Sequence, residues 1–121
     1  MRVIIADDEK PCLEDLIYML SSHADVEITG AFTRSEDALA AVPDLQPDAL
    51  FLDLSMPHMN GVELAKQILA EFPGTKIVFV TAFVGELADV RDVPIFASLL
   101  KPVDDVRLKE VLERLRENLP A

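Results

Sequence analysis

Short apolar runs alternate with longer amphipathic stretches along the chain. Residues 3–6 and 49–52 are uninterrupted apolar runs, which is the pattern of strands buried on both faces. Residues 76–80 are rich in β-branched and aromatic side chains, and this composition favours another strand. The pattern also predicts a weaker strand from residue 26 to Gly30 and a last strand over residues 95–100.

Apolar residues at helical spacing separate these strands. Leu13, Leu16, Ile17 and Leu20 follow the i, i+3, i+4, i+7 spacing of a helix that packs against a core. Similar stretches predict a short helix around residues 38–42 that Pro43 ends, a helix after Asn60-Gly61, a short helix over 84–92, and a last helix that is capped by Asp104 or Asp105 and ends near Asn118.

This order of elements predicts an α/β fold, (βα)5, in which helices cover both faces of one doubly wound parallel sheet. Because no linker, repeat or low-complexity stretch divides the sequence, we expect residues 1–121 to form a single domain. In sheets of this kind, functional residues lie at the carboxyl ends of the strands. The ends of the predicted strands are therefore the places to look for chemistry.

Charged and hydroxyl side chains occupy four of those strand ends. Asp7 and Asp8 follow the first strand, Asp53 the third, Thr81 the fourth and Lys101 the fifth. Each alone has an ordinary explanation, such as a helix-end acid, a turn residue or a solvated charge. The shared edge of a parallel sheet brings them together, and this juxtaposition indicates a site.

Three carboxylates at one edge repel each other, because each like charge raises the pKa of its neighbours. A hard divalent cation relieves that repulsion, and oxygen ligands suit Mg²⁺. A cation together with the ammonium of Lys101 favours an incoming phosphoryl group. Asp53 is then the candidate nucleophile for an acyl phosphate, and the Thr81 hydroxyl can donate to a phosphoryl oxygen.

Five motifs in order resemble the receiver domains of two-component response regulators. They are Asp7-Asp8-Glu9, Asp53-Leu54-Ser55-Met56-Pro57, Gly61, Val80-Thr81-Ala82 and Leu100-Lys101-Pro102. The resemblance covers essentially the whole chain and implies the flavodoxin-like five-stranded sheet of order 2-1-3-4-5. Several details also resemble the receivers of LytTR-type regulators, including the Leu-Leu-Lys-Pro sequence that ends at Pro102.

The resemblance implies a role for each of these residues. Asp8 binds Mg²⁺ directly and Asp7 mainly through water, while Asp53 and the backbone carbonyl of Ser55 supply further oxygens. Lys101 pairs with the phosphoryl group, and its bond to Pro102 is cis. Thr81 moves toward the phosphoryl group on activation, the small Ala82 leaves access to it, and Pro57 and Gly61 shape the loop after the third strand.

One position departs from the family pattern. An aromatic residue is usual three positions before the strand-five lysine, and Ser98 stands there in this chain. Phe96 shares the strand face of Ser98 by alternation, but it lies too far back to take its place. We therefore expect phosphorylation to occur and its output to run through residues 84–92 and the surface of the fifth strand.

Composition narrows the partners of this domain. The chain has 11 Lys and Arg against 22 Asp and Glu, a formal net charge of −11, which argues against direct binding to nucleic acid or to an anionic membrane. The single cysteine, Cys12, cannot form an internal disulfide, and no apolar stretch is long enough for a membrane span or a signal-peptide core. We expect a cytoplasmic protein.

Other functions fit the sequence less well. A receiver that has lost phosphorylation and acts as a docking module is the main alternative, and Ser98 is the evidence for it. Aspartate-nucleophile phosphohydrolases resemble a pattern with a second Asp where Ser55 stands, and a flavin module needs a phosphate loop where Asp7-Asp8 would repel phosphate. The expected partners are a sensor histidine kinase or phosphotransfer protein, and either a downstream protein or a C-terminal effector domain missing from this chain.

Overall fold

The computed structural model describes residues 1–82 and 93–119. Five parallel strands form one sheet in the order β2-β1-β3-β4-β5, the order that the resemblance to receiver domains implies. The strands and helices are, in chain order, β1 (Arg2–Ala6), α1 (Lys10–Ser21), β2 (Glu27–Phe32), α2 (Ser35–Leu45), β3 (Ala49–Asp53), α3 (Gly61–Glu71), β4 (Lys76–Thr81), β5 (Ala97–Leu100) and α4 (Asp105–Asn118).

Two hydrophobic cores lie on opposite faces of the sheet. Because side chains alternate along a strand, Val3 and Ile5 of β1 enter one core, and Ile4 and Ala6 enter the other. Helices α1 and α4 cover the first core, and α2 and α3 cover the second. All five residues of β3 are buried, which explains the uninterrupted apolar run over residues 49–52 that precedes Asp53.

Two predicted boundaries at proline and glycine were wrong. Pro43 lies inside α2, which continues to Leu45 and ends where Gln46 adopts a left-handed conformation. Pro43 removes one backbone hydrogen bond from the last turn of α2, and Val42 beside it is buried in the core. Strand β2 continues past Gly30 to Phe32. Glycine is needed inside this strand because the Phe32 ring occupies the space of a side chain, and a Cβ on Gly30 would lie 2.7 Å from it.

The region before α4 also differs from the prediction. Strand β5 begins at Ala97 and not at residue 95. The helix predicted over residues 84–92 lies outside the described residues. The predicted cap of the last helix is present, because the Asp104 carboxylate accepts a hydrogen bond from the Val106 N–H at 3.1 Å. None of the helices in the described ranges has the length and apolar character needed to cross a membrane.

The start of α3 packs tightly against the end of β3. The Gly61 N–H donates to the Leu54 carbonyl at 3.0 Å, and a Cβ on Gly61 would lie 2.3 Å from the Asp53 carbonyl oxygen. Only glycine permits this approach of the two backbones. The contact fixes the position at which Asp53 emerges from the sheet.

We expect Gly61→Ala to destabilise the protein by roughly 2 kcal/mol, because the new methyl group forces the backbone of α3 away from β3. Gly74→Ala is the matched control, since a Cβ there meets nothing within 4 Å and Gly74 has no positive φ. Urea unfolding measures both variants. Equal stability of the two would contradict the close contact at Gly61.

Candidate functional site

The carboxyl edge of the sheet gathers the predicted side chains. Asp7 follows β1, Asp53 ends β3, Thr81 ends β4 and Lys101 follows β5. These four strands are neighbours and run parallel, so their carboxyl ends meet at one edge. Asp7, Asp53 and Thr81 are all buried there, and such burial is unusual for the carboxylates of the two aspartates.

Three carboxylates form a cluster at this edge. Oxygen atoms of Asp7, Asp8 and Asp53 lie within 4.8 Å of one another. Asp7 and Asp53 are each 4% exposed, and Asp8 is exposed to solvent. An all-oxygen set with one open side matches the preference of Mg²⁺, which is held by one or two carboxylates and retains several waters. The donor set therefore fits a hard divalent cation.

Lys101 joins two members of the cluster. Its Nζ lies 2.8 Å from Asp7 Oδ2 and 3.6 Å from Asp53 Oδ2. Burial alone lowers the pKa of Lys101, but the hydrogen bond to Asp7 and the charge of Asp53 outweigh burial and raise it. The ammonium therefore stays charged. The backbone N–H of Lys101 donates to the Thr81 carbonyl at 2.8 Å, and this bond fixes the loop after β5 to the end of β4.

The Asp53 carboxyl is strongly perturbed. Burial and the neighbouring Asp7 raise its pKa to about 7, against the lowering effect of Lys101 and of the Ser55 N–H. Below about pH 7 the metal-free site therefore keeps a proton on Asp53. A bound cation would displace that proton and favour the carboxylate.

Backbone N–H groups orient the two buried acids. The Glu9 N–H donates to Asp7 Oδ1 at 2.9 Å, and the Ser55 N–H donates to Asp53 Oδ1 at 3.2 Å. In each acid, Oδ1 thus faces its own following loop and Oδ2 faces Lys101. Both carboxylates are held in fixed orientations before any ligand binds.

A groove of about 480 Å³ leads to this edge of the sheet. Helix α1 forms one wall with Cys12 and Leu16, and the segment after Lys101 contributes Pro102 and Val103. Asp7 and Lys101 lie in the same groove. The charged pair can therefore be approached from the side of α1.

The remaining predicted residues surround the cluster or lie apart from it. Ala82 follows Thr81 and is exposed, and Pro57 is exposed in the loop between β3 and α3. The Lys101–Pro102 peptide bond is cis. Ser98 lies within β5, paired with Phe79 of β4, and its backbone carbonyl accepts a hydrogen bond from Arg107 Nη2 at 3.3 Å.

Phe96 does not share the face of Ser98, contrary to the alternation of the sequence. It precedes β5 and packs against the core that contains Ala97 and Leu99. The Arg114 guanidinium lies 4.9 Å from the centre of its ring. Alternation fails here because residue 96 lies outside the regular pleat.

Ser35 lies beside this site, and no sequence pattern predicts its role there. It begins α2, is 1% exposed, and its Oγ donates to the Met59 carbonyl at 2.6 Å. A serine at the start of a helix reads as a capping residue. In the structure its hydroxyl instead holds the loop between β3 and α3.

Comparisons with known proteins agree with this architecture. The sequence profile of the response regulator receiver domain matches residues 3–113. A response regulatory protein of Yersinia pestis is 41% identical over 119 residues, which are 98% of this chain and 50% of that protein. The transcriptional regulatory protein BtsR of Escherichia coli K12 is 38% identical over 117 residues, 97% of this chain and 48% of BtsR.

Solved structures show the same fold. The isolated REC domain of RcsB from Salmonella enterica serovar Typhimurium, determined in the presence of the phosphomimetic BeF3−, superposes with a TM-score of 0.89 at 30% identity and covers 100% of this chain and 91% of that one. The chain spans about half the length of the curated relatives it matches. By fold and by sequence, the chain belongs to the receiver domain family of the response regulators of two-component systems.

Proposed function

We propose that residues 1–121 form one receiver unit that accepts a phosphoryl group on Asp53 in a Mg²⁺-dependent reaction. The donor is the phosphohistidine of a sensor histidine kinase or phosphotransfer protein, or a small acyl phosphate. One observation carries the proposal: two buried carboxylates and an exposed one share the sheet edge with a lysine that forms ion pairs with both buried acids. Membership of the receiver family supports the same reaction class.

The transfer is a displacement at phosphorus. An Asp53 carboxylate oxygen forms the new P–O bond, and the bond from phosphorus to the donor nitrogen or oxygen breaks, with its electron pair leaving on the donor. Asp53 Oδ2 faces Lys101, whereas Oδ1 accepts from the Ser55 N–H. The acceptor is thus oriented before the donor arrives.

Charge is the main requirement of this reaction. Bound Mg²⁺ would neutralise the carboxylate cluster and the phosphoryl oxygens that approach it. Asp8, Asp7, Asp53 and the Ser55 carbonyl are the proposed ligands, with Asp7 acting mainly through water. The Lys101 ammonium is released from Asp53 to pair with the phosphoryl group while keeping its contact to Asp7, the shorter of its two contacts.

The buried Thr81 is the proposed hydrogen-bond donor to a phosphoryl oxygen, and the exposed Ala82 leaves a path to it. Because the Thr81 carbonyl accepts from the Lys101 N–H, movement at Thr81 is passed to the loop after β5. We therefore propose that output runs through the β5 surface, although Ser98 stands where the family usually has an aromatic residue. A separate downstream protein or an effector region would read this surface, and relatives of twice the length include a transcriptional regulator.

Acetyl phosphate with Mg²⁺ is expected to add one phosphoryl group to the protein, as measured by intact mass. Asp53→Asn removes the nucleophile and should abolish the gain. Asp48→Asn is the matched control, because Asp48 is a half-buried acid at the opposite end of the same strand, bonded to the Arg2 N–H at 2.7 Å.

An unchanged mass in wild type would favour the docking-module alternative, in which the domain binds partners without phosphorylation. A gain that persists in Asp53→Asn would place the phosphoryl group on another residue. Sustained release of phosphate at many turnovers would instead indicate a phosphohydrolase. Aspartate-nucleophile phosphohydrolases resemble a pattern with a second Asp at the position of Ser55. Because this chain has serine there, we expect slow loss of the phosphoryl group.

The raised pKa of Asp53 predicts a pH dependence of stability in EDTA. Between about pH 4 and pH 7 the folded protein retains a proton on Asp53 that the unfolded chain releases. Stability therefore falls as pH rises through this range and is flat with respect to Asp53 above it. Asn cannot ionise, so Asp53→Asn should be more stable than wild type at pH 8 and similar to it at pH 4.5.

Urea unfolding of both proteins at the two pH values measures this difference. Identical pH profiles for wild type and Asp53→Asn would contradict the assigned titration of Asp53.

A further inference from the structure

The loop between β3 and α3 contains an uncommon backbone turn. His58 has a φ of 69°, in the left-handed region that residues other than glycine rarely adopt. The Met59 N–H donates to the Pro57 carbonyl at 2.8 Å, which closes a three-residue turn around His58. A γ-turn with a positive central φ is rare and strained. Such a turn persists where surrounding contacts hold it.

Ser35 makes the contact that holds this turn from outside the loop. Its Oγ lies 2.6 Å from the Met59 carbonyl and 3.4 Å from Met56 Sδ. A hydroxyl has one hydrogen to donate, and the shorter contact to the carbonyl takes it. Because Ser35 is almost completely buried, water cannot replace this bond.

The same loop carries Ser55, whose carbonyl is a proposed cation ligand. The start of the loop is fixed at the sheet, where the Ser55 N–H donates to Asp53 and the Gly61 N–H donates to the Leu54 carbonyl. The hydrogen bonds of Met59 with Pro57 and with Ser35 follow Ser55 along the chain. The path of the chain at Ser55 is therefore set between two anchors, one on β3 and one on α2.

We propose that Ser35 is a positioning residue for the cation site. Its hydroxyl holds the strained turn at His58 and so sets the backbone path that positions the Ser55 carbonyl, the proposed cation ligand. This role rests on the proposed function, because it assumes that the cluster binds Mg²⁺. Ser35 touches neither the cation nor the phosphoryl group and acts through the Met59 carbonyl.

The test is a MgCl2 titration of the metal-free protein, followed by the amide chemical shifts of Asp8 and Ser55. Ser35→Ala is expected to raise the Mg²⁺ dissociation constant about fivefold, the effect of losing one hydrogen bond of about 1 kcal/mol. Met56→Leu is the matched control. It removes the sulfur contact, keeps the volume, and should leave the dissociation constant unchanged.

A double variant separates positioning from general stability. Glycine adopts a positive φ without strain, so His58→Gly relieves the turn that Ser35 restrains. Ser35→Ala combined with His58→Gly should therefore bind Mg²⁺ within about twofold of His58→Gly alone, a coupling of the two sites. Urea unfolding identifies conditions in which each variant is folded, and the double variant serves if Ser35→Ala alone is not.

Two results would overturn the role of Ser35 while leaving the cation site intact. One is wild-type affinity in Ser35→Ala, and the other is a full fivefold loss in the double variant relative to His58→Gly. Absence of Mg²⁺-dependent shifts at Asp8 and Ser55 in the wild type would instead contradict the proposed function itself.

Discussion

The site depends on the two ion pairs that Lys101 forms with the buried carboxylates of Asp7 and Asp53. Asp7 follows β1 and Lys101 follows β5, and β3 and β4 lie between these strands. Three strand spacings are roughly 14 Å in a flat sheet, which a lysine and an aspartate side chain do not span. In the structure, Lys101 Nζ nevertheless lies 2.8 Å from Asp7 Oδ2 and 3.6 Å from Asp53 Oδ2. The arrangement of the whole sheet is therefore needed to assemble the site.

This assembly carries a cost in stability. Burial and the like charge of Asp7 together raise the pKa of Asp53 to about 7, and the ammonium of Lys101 offsets only part of this rise. Replacement of the buried carboxylates by apolar side chains would stabilise the fold and abolish the site. The strained turn at His58 and the close contact at Gly61 are further local costs, and they lie in the loop beside Asp53.

The sequence pattern predicted the strands and their convergence at the carboxyl edge, because buried parallel strands leave continuous apolar runs that end at their functional residues. The sheet order came from the resemblance to receiver domains. The pattern failed where packing overrides local preference. Pro43 is retained inside α2 beside the buried Val42, and Gly30 is retained inside β2 under the Phe32 ring. Ser35 was missed because its partner, the Met59 carbonyl, is 24 residues away in the chain. No local pattern signals such a contact.

We propose that Asp7, Asp8 and Asp53 act as one cation site. The most direct measurement is a MgCl2 titration of the folded protein, followed through the carboxyl ¹³C resonances of its aspartates. A single site predicts that these three resonances shift together with one affinity, while that of Asp48 at the opposite edge stays in place. Independent affinities for the three acids, or an Asp53 resonance that does not respond, would contradict it.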